Sequence, residues 1–207
     1  MSIQNHRQEY ELVLQWQPEK ANTHYNVGLI YKQREQWTQA MTHFRQVTRL
    51  TPADPDAFFQ IGLVHQHQQQ DELALAAFRE AIRLQPAYTY GYYYVALIHL
   101  RHDRFEDALA AMARACQLKD DDADIHYALG LIYDRLNQPA LALPAFRRCV
   151  SLQADFAPGY YHLGLVLARQ GNRQDAIAAY QVYLKLMPHA ADADQVRGAI
   201  RKLQDVS

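Results

Sequence analysis

Residues 123–156 read ADIHYALGLIYDRLNQPALALPAFRRCVSLQADF, and residues 157–190 read APGYYHLGLVLARQGNRQDAIAAYQVYLKLMPHA. Laid one over the other, Leu129, Gly130 and Leu131 fall on Leu163, Gly164 and Leu165, Ala142 on Ala176, Phe146 on Tyr180 and Leu152 on Leu186. The same 34-residue offset runs along the chain, separating Ala40, Ala74, Ala108, Ala142 and Ala176. A fixed period of this size marks an array of one supersecondary unit. Units starting at Ala21, Pro55, Thr89, Ala123 and Ala157 tile residues 21–190 without insertion, as 21–54, 55–88, 89–122, 123–156 and 157–190.

Each unit can be read by position. Position 8 holds Gly28, Gly62, Ala96, Gly130 and Gly164, and position 7 before it holds Val27, Ile61, Val95, Leu129 and Leu163. Position 24 holds Phe44, Phe78, Met112, Phe146 and Tyr180, and position 30 is Leu50, Leu84, Leu118, Leu152 and Leu186. Small residues let two backbones approach, and bulky ones fill the space opposite. Apolar residues at positions 7, 10 and 11, and again at 20, 21, 24, 27 and 28, follow helical spacing. Polar breaks such as Arg34-Glu35-Gln36 and Gln170-Gly171-Asn172 separate the two runs. Each unit is therefore expected to fold as two antiparallel helices, A then B.

This combination of period and position resembles the tetratricopeptide repeat family over residues 21–190. The resemblance implies an all-α fold, a right-handed superhelical solenoid of antiparallel helix pairs. Some positions depart from the family pattern. The loop proline of position 32 is kept at Pro52, Pro86 and Pro188 but replaced by Asp120 and Ala154. The aromatic of position 4 is present as Phe58, Tyr92 and Tyr160, with His24 and His126 elsewhere. An open array must cover its end units. Residues 1–20 carry Tyr10, Val13, Trp16 and Pro18 in B-helix register, so residues 3–17 are expected to form a lone B helix. In residues 191–207, Val196, Ala199, Ile200 and Leu203 share one face against Arg197, Arg201 and Lys202, an amphipathic cap. Pro144, inside the fourth B helix, is expected to bend or tighten its start.

Composition narrows the function. The 49% hydrophobic and 21% charged residues place the chain among well-packed soluble proteins. The 21 basic and 22 acidic residues are interspersed, without the positive field that a phosphate backbone would need, so nucleic acid is not expected as a partner. Met1 to Trp16 carries Asn5, His6, Arg7, Gln8, Glu9 and Glu11 where a signal peptide needs an apolar stretch, and no later run approaches a membrane span. A cytoplasmic protein, not inserted in a membrane, is the expectation. No phosphate loop, HExxH, nucleophile elbow or paired-cysteine motif occurs, so neither an enzyme nor a cofactor is expected. Cys116 and Cys149 read as buried free thiols. His65 and His99 share position 11 with Tyr31, Tyr133 and Leu167 and read as packed side chains rather than metal ligands. The run Asp120, Asp121, Asp122 and Asp124 lacks the glycine and alternation of a calcium loop and reads as solvated helix-start charge. No metal site is expected.

The resemblance further implies that A helices line a concave groove through positions 2, 5, 6, 9, 12 and 13. Position 5 is Tyr25, Phe59, Tyr93, Tyr127 and Tyr161, and position 9 is Leu29, Leu63, Leu97, Leu131 and Leu165. Tyr90 and Tyr94 thicken this ladder in the third unit. The same tyrosines could pack partly against neighbours. Arg101, Arg135 and Arg169 recur at position 13, either as a basic rail beside the groove or as solvated charge. Family members that grip acidic chaperone termini use lysine and asparagine where this chain has Tyr25, Leu29, Gln60, Tyr90 and Tyr94, so that clamp is not expected. Position 6 runs Asn26, Gln60, Tyr94, Ala128 and His162, without the asparagine ladder of the O-linked sugar transferases. The expected function is a protein-binding adaptor or scaffold that takes a peptide or helix with apolar anchors. A self-assembling homo-oligomer and an accessory module of a separate enzyme are the alternatives.

Overall fold

The structure is a computed structural model in which residues 20–205 are described. They form α1 (Ala21–Gln33), α2 (Trp37–Leu50), α3 (Pro55–His67), α4 (Asp71–Leu84), α5 (Thr89–Arg101), α6 (Phe105–Leu118), α7 (Ala123–Arg135), α8 (Pro139–Leu152), α9 (Ala157–Arg169), α10 (Arg173–Leu186) and α11 (Ala193–Asp205). No strand occurs among the described residues, so the fold is all-α, as the resemblance implied. The lone helix expected over residues 3–17 lies outside the described residues. The chain divides into two compact units, one ending at Ile98 and one beginning at His99, with the division inside α5. In the first, α1 pairs with α2, α3 with α4, and α2 also packs on α3. In the second, α7 pairs with α8 and α9 with α10, while α6 packs on α7, α8 on α9 and α10 on α11.

Glycine meets an aromatic ring inside each of four hairpins. A Cβ added to Gly28 would lie 2.6 Å from the Phe44 ring, and one on Gly62 would lie 2.5 Å from Phe78. In the second unit, Gly130 stands in the same relation to Phe146 at 2.5 Å, and Gly164 to Tyr180 at 2.6 Å. These distances are shorter than any carbon–carbon contact, so only a hydrogen fits between A-helix backbone and ring. Phe44, Phe78 and Phe146 are fully buried there.

The turn from A to B is repeated five times in one conformation. Glu35, Gln69, Asp103, Asn137 and Gly171 have φ between 54° and 77°, the left-handed region. The following amide donates to the carbonyl five residues back, from Gln36 to Tyr31, Gln70 to His65, Arg104 to His99, Gln138 to Tyr133 and Asn172 to Leu167, at 2.8–3.0 Å. This bond closes a Schellman motif and satisfies a carbonyl that the helix end would otherwise orphan. The B-to-A turns vary more. Asp54 caps α3 by accepting from the amides of Asp56 and Ala57, and Asp122 caps α7 by accepting from Asp124.

Pro144 does not shorten its helix: α8 runs from Pro139 to Leu152 as continuous α-helix. Pro144 and Ala140, whose carbonyl its missing amide would have met, are both exposed, so the freed acceptor lies on the solvent side of the helix rather than in the core. At the carboxyl end, Val196 of α11 is buried with Ala157, Tyr180 and Tyr183, and Ile200 and Leu203 pack on that cluster. The Tyr183 hydroxyl donates to Asp192 just before α11.

The glycine contacts set two expectations. Gly130→Ala should destabilise the protein by about 1–3 kcal/mol in chemical denaturation, because the Phe146 ring has no free space into which to shift. Gly198→Ala, where an added Cβ meets nothing within 4 Å, should instead stabilise α11 by about 0.5–1 kcal/mol. Equal effects at the two sites would contradict the packing described.

Candidate functional site

Positions 5 and 9 of an A helix lie one turn apart, so their side chains share a face. That face carries Tyr25 and Leu29 on α1, Phe59 and Leu63 on α3, Tyr93 and Leu97 on α5, Tyr127 and Leu131 on α7, and Tyr161 and Leu165 on α9. All ten are half-buried, neither sealed in the core nor fully in solvent. Tyr94 is also half-buried, and Tyr90 is 41% exposed.

In the first unit the inner edge of this face is an aromatic stack. Tyr25 meets the buried Phe44 edge-on at 5.9 Å, and Phe59 meets Phe78 at 5.6 Å. Tyr94 stacks on Phe78 at 5.3 Å and stands edge-on to Phe59 and to Tyr93. The buried Gln60 donates to the Tyr25 hydroxyl at 3.3 Å and accepts from Lys32 Nζ at 2.5 Å. Burial, opposed in part by that Gln60 bond, raises the Tyr25 phenol above its ordinary pKa, so it stays neutral.

The second unit repeats the arrangement with histidine in place of one tyrosine. Tyr127 lies 6.0 Å from Phe146, 5.1 Å from Phe156 and 5.6 Å from His162. His162 stacks on Phe146 with an interplanar angle of 17°, and Tyr161 stands at 90° to His162. Tyr161 also touches Tyr180 and Tyr183. A rule emerges within the units. The ring at position 5 leans on position 24 of its own repeat, and the ring at position 6 stacks on position 24 of the repeat before. Sequence reading named neither contact. The signal was present, since Tyr94 and His162 follow Phe78 and Phe146 at one spacing.

The three arginines of position 13 are exposed, but they do not form an uninterrupted positive row. Arg135 lies 3.9 Å from Asp103, and Arg169 pairs with Asp134. Exposed pairs of this kind contribute little to stability, so the edge of the face is polar with both signs present. His65 and His99 are buried at position 11, with His65 Nδ1 2.7 Å from Gln70 Oε1. Cys149 is buried as expected, and burial pushes its thiol up to about 12. Cys116 differs from expectation: it is only half-buried, because it faces the turn into α7. There it forms, with Asp120 and His126, a group of three ligating side chains among the described residues. Leu73 and Leu141, both at position 19 of a B helix, are about half exposed at 52% and 47%, and the sequence reading did not single them out.

Together these features define a helical-hairpin repeat protein whose first helices each carry a half-buried aromatic at position 5 and a half-buried leucine at position 9. The chain belongs to the tetratricopeptide repeat family. Profiles of that family match residues 55–88 and, in overlapping segments, 72–123, 95–155 and 127–196, and a TPR repeat profile matches residues 28–69. Solved structures share the fold at low identity. YrrB, described as a TPR protein with an unusual peptide-binding site, is 17% identical, with a TM-score of 0.73 over 91% of this chain and 97% of its own. MamA from Desulfovibrio magneticus RS-1 is 21% identical, with a TM-score of 0.69 over 89% and 97%. The pilF protein of Pseudomonas aeruginosa is 19% identical, with a TM-score of 0.75 over 88% of each chain. A search of curated protein sequences returns no match. Among the described residues no helix is long and apolar enough to cross a membrane.

His162 gives the aromatic face a pH dependence. Burial, the largest cause, lowers its pKa below the ordinary 6.5, with Arg135 and Arg169 acting in the same direction against Asp134. The unfolded chain then takes up the proton first, so the contribution is intact above about pH 6.5 and is lost as pH falls toward the depressed folded value. Stability measured by urea denaturation should drop as pH falls below about 6.5, and His162→Phe, which keeps a ring on Phe146, should reduce that drop. An unchanged slope in the variant would contradict the assignment.

Proposed function

We propose that the chain is a non-catalytic adaptor of the cytoplasm that holds a peptide or helix of a partner protein on the tyrosine and leucine rows of its A helices. The observation that carries this reading is the half-buried state of all ten side chains at positions 5 and 9. Burying their remaining surface under a ligand is favourable, and the packing of Tyr25, Phe59, Tyr127 and Tyr161 against position 24 means that these rings lose little rotamer freedom on binding. Leu131 and Leu165 supply apolar contact on α7 and α9, with Tyr127 and Tyr161 one turn before them. Arg135, Arg169 and their aspartates form a polar rim that would orient a ligand without specifying a strongly charged one. That YrrB, of the same fold, is described as having a peptide-binding site is consistent with this reading. The interspersed charge of 21 basic and 22 acidic residues favours a protein ligand over nucleic acid. An affinity of order micromolar, about 8 kcal/mol, suits an adaptor.

The test uses a panel of synthetic amphipathic peptides with leucine and phenylalanine anchors at helical spacing, titrated by fluorescence anisotropy. Leu131→Glu with Leu165→Glu should weaken the best binder about 10-fold or more, since anchor contacts dominate such interfaces. Circular dichroism should show unchanged helicity in that variant. Undiminished binding would move the ligand away from this face. Concentration-dependent self-association lost in the same variant would make a second copy of the chain the occupant.

A further inference from the structure

The turn between α6 and α7 brings three ligating side chains to one point. Cys116 stands in the last turn of α6, Asp120 in the connection and His126 in the first turn of α7. Cys116 Sγ lies 3.6 Å from Asp120 Oδ1, and that same oxygen is 3.1 Å from His126 Nε2. All three ligand atoms fall within 4.8 Å of one another. Zinc binds sulfur at about 2.3 Å and nitrogen or oxygen at about 2.0 Å, so a tetrahedral site has edges of about 3.5 Å between sulfur and oxygen and about 3.3 Å between oxygen and nitrogen. The two measured edges match these values without movement of the backbone.

The geometry points to a zinc-class cation site made by Cys116, Asp120 and His126, with its fourth position open to solvent. Thiolate and imidazole select a borderline-soft cation over magnesium or calcium. The ligands differ usefully in mobility. His126 is buried, 7% exposed, and so is fixed in place, whereas the Asp120 side chain is exposed and can close over an ion. Arg148 Nη2 lies 3.7 Å from Asp120 Oδ2, the oxygen facing away from the cluster, and orients the carboxylate as an outer partner. Four carboxylates, Asp120, Asp121, Asp122 and Asp124, stand along this turn, with Lys119 paired to Asp122 and Arg148 beside Asp120. In the metal-free chain His126 Nε2 donates to the Asp120 carbonyl at 2.9 Å. On loading, the imidazole proton moves to Nδ1, the Cys116 thiol releases its proton to solvent, and the ion takes both freed lone pairs.

Bound there, the ion would staple the end of α6 to the start of α7, a junction where the family's loop proline is replaced by Asp120. The test is titration of the full chain, freed of any affinity tag, with cobalt(II) and then zinc. Cobalt should give the sulfur-to-metal charge-transfer band and the intense visible absorption of a four-coordinate thiolate site, both removed when zinc is added. Cys116→Ser should abolish the charge-transfer band and weaken zinc binding more than about 10-fold, while Cys149→Ser should leave both unchanged. Zinc should also raise the melting temperature of the wild type and not that of Cys116→Ser. Asp120→Asn, an exposed change that does not threaten folding, should likewise weaken zinc. The proposal is overturned if cobalt shows only a weak octahedral spectrum, or if Cys116→Ser binds with unchanged spectrum and affinity. The second result would place the ion elsewhere: near Cys149 if the charge-transfer band persists, or, if no such band is present, on histidines such as His24 and His43, whose Nδ1 atoms lie 3.0 Å apart.

Discussion

In four of the hairpins, the contact between a glycine backbone on helix A and an aromatic ring on helix B sets the geometry on which the rest of the hairpin depends. With only a hydrogen at Gly28, Gly62, Gly130 or Gly164, the ring of Phe44, Phe78, Phe146 or Tyr180 can lie flat against the A helix. That close approach decides how helix A is rotated about its own axis. Positions 7 and 8 turn inward, and positions 5 and 9 are left at the margin of the core. The face proposed to bind a partner is therefore a by-product of the packing: the ring that fills the hairpin also supports the position 5 side chain from behind.

Support of this kind couples stability to function. Tyr127 touches Phe146, Phe156 and His162, so it is held in one orientation and cannot be removed without loosening the second unit. The leucines of position 9 share this duty: Leu131 packs on the Phe146 cluster beside Tyr127, and Leu165 on the Tyr180 cluster beside Tyr161. A loss of binding at either row is therefore read together with the helicity of the same variant.

The hairpins were legible because their signals are periodic and local. Alanines at 34-residue intervals gave the register, glycine at position 8 with an aromatic at position 24 gave the pairing, and polar breaks gave the turns. The left-handed residue in each A-to-B turn was hidden, because only Gly171 of the five is a glycine and Glu35, Gln69, Asp103 and Asn137 carry no equivalent mark. For Pro144 the sequence marked a missing donor, and the structure adds that the α-helix nevertheless runs on from Pro139 to Leu152. The grouping of Cys116, Asp120 and His126 was equally hidden. Its members belong to two different repeats and a turn, so no motif of fixed spacing announces it. Arg135 and Arg169 showed their recurrence but not their partners, since Asp103 and Asp134 lie more than thirty residues away along the chain.

The most direct test of the central claim is a double-mutant cycle on Gly62 and Phe78. Gly62→Ala alone places a Cβ against the ring, and Phe78→Leu alone leaves space beside the helix. If the contact governs the hairpin, the two changes compensate, and the double variant should be more stable than the sum of the singles by about 1 kcal/mol or more. Additive losses would mean that backbone and ring do not constrain one another, and that the half-buried rows on the A helices owe their exposure to some other cause.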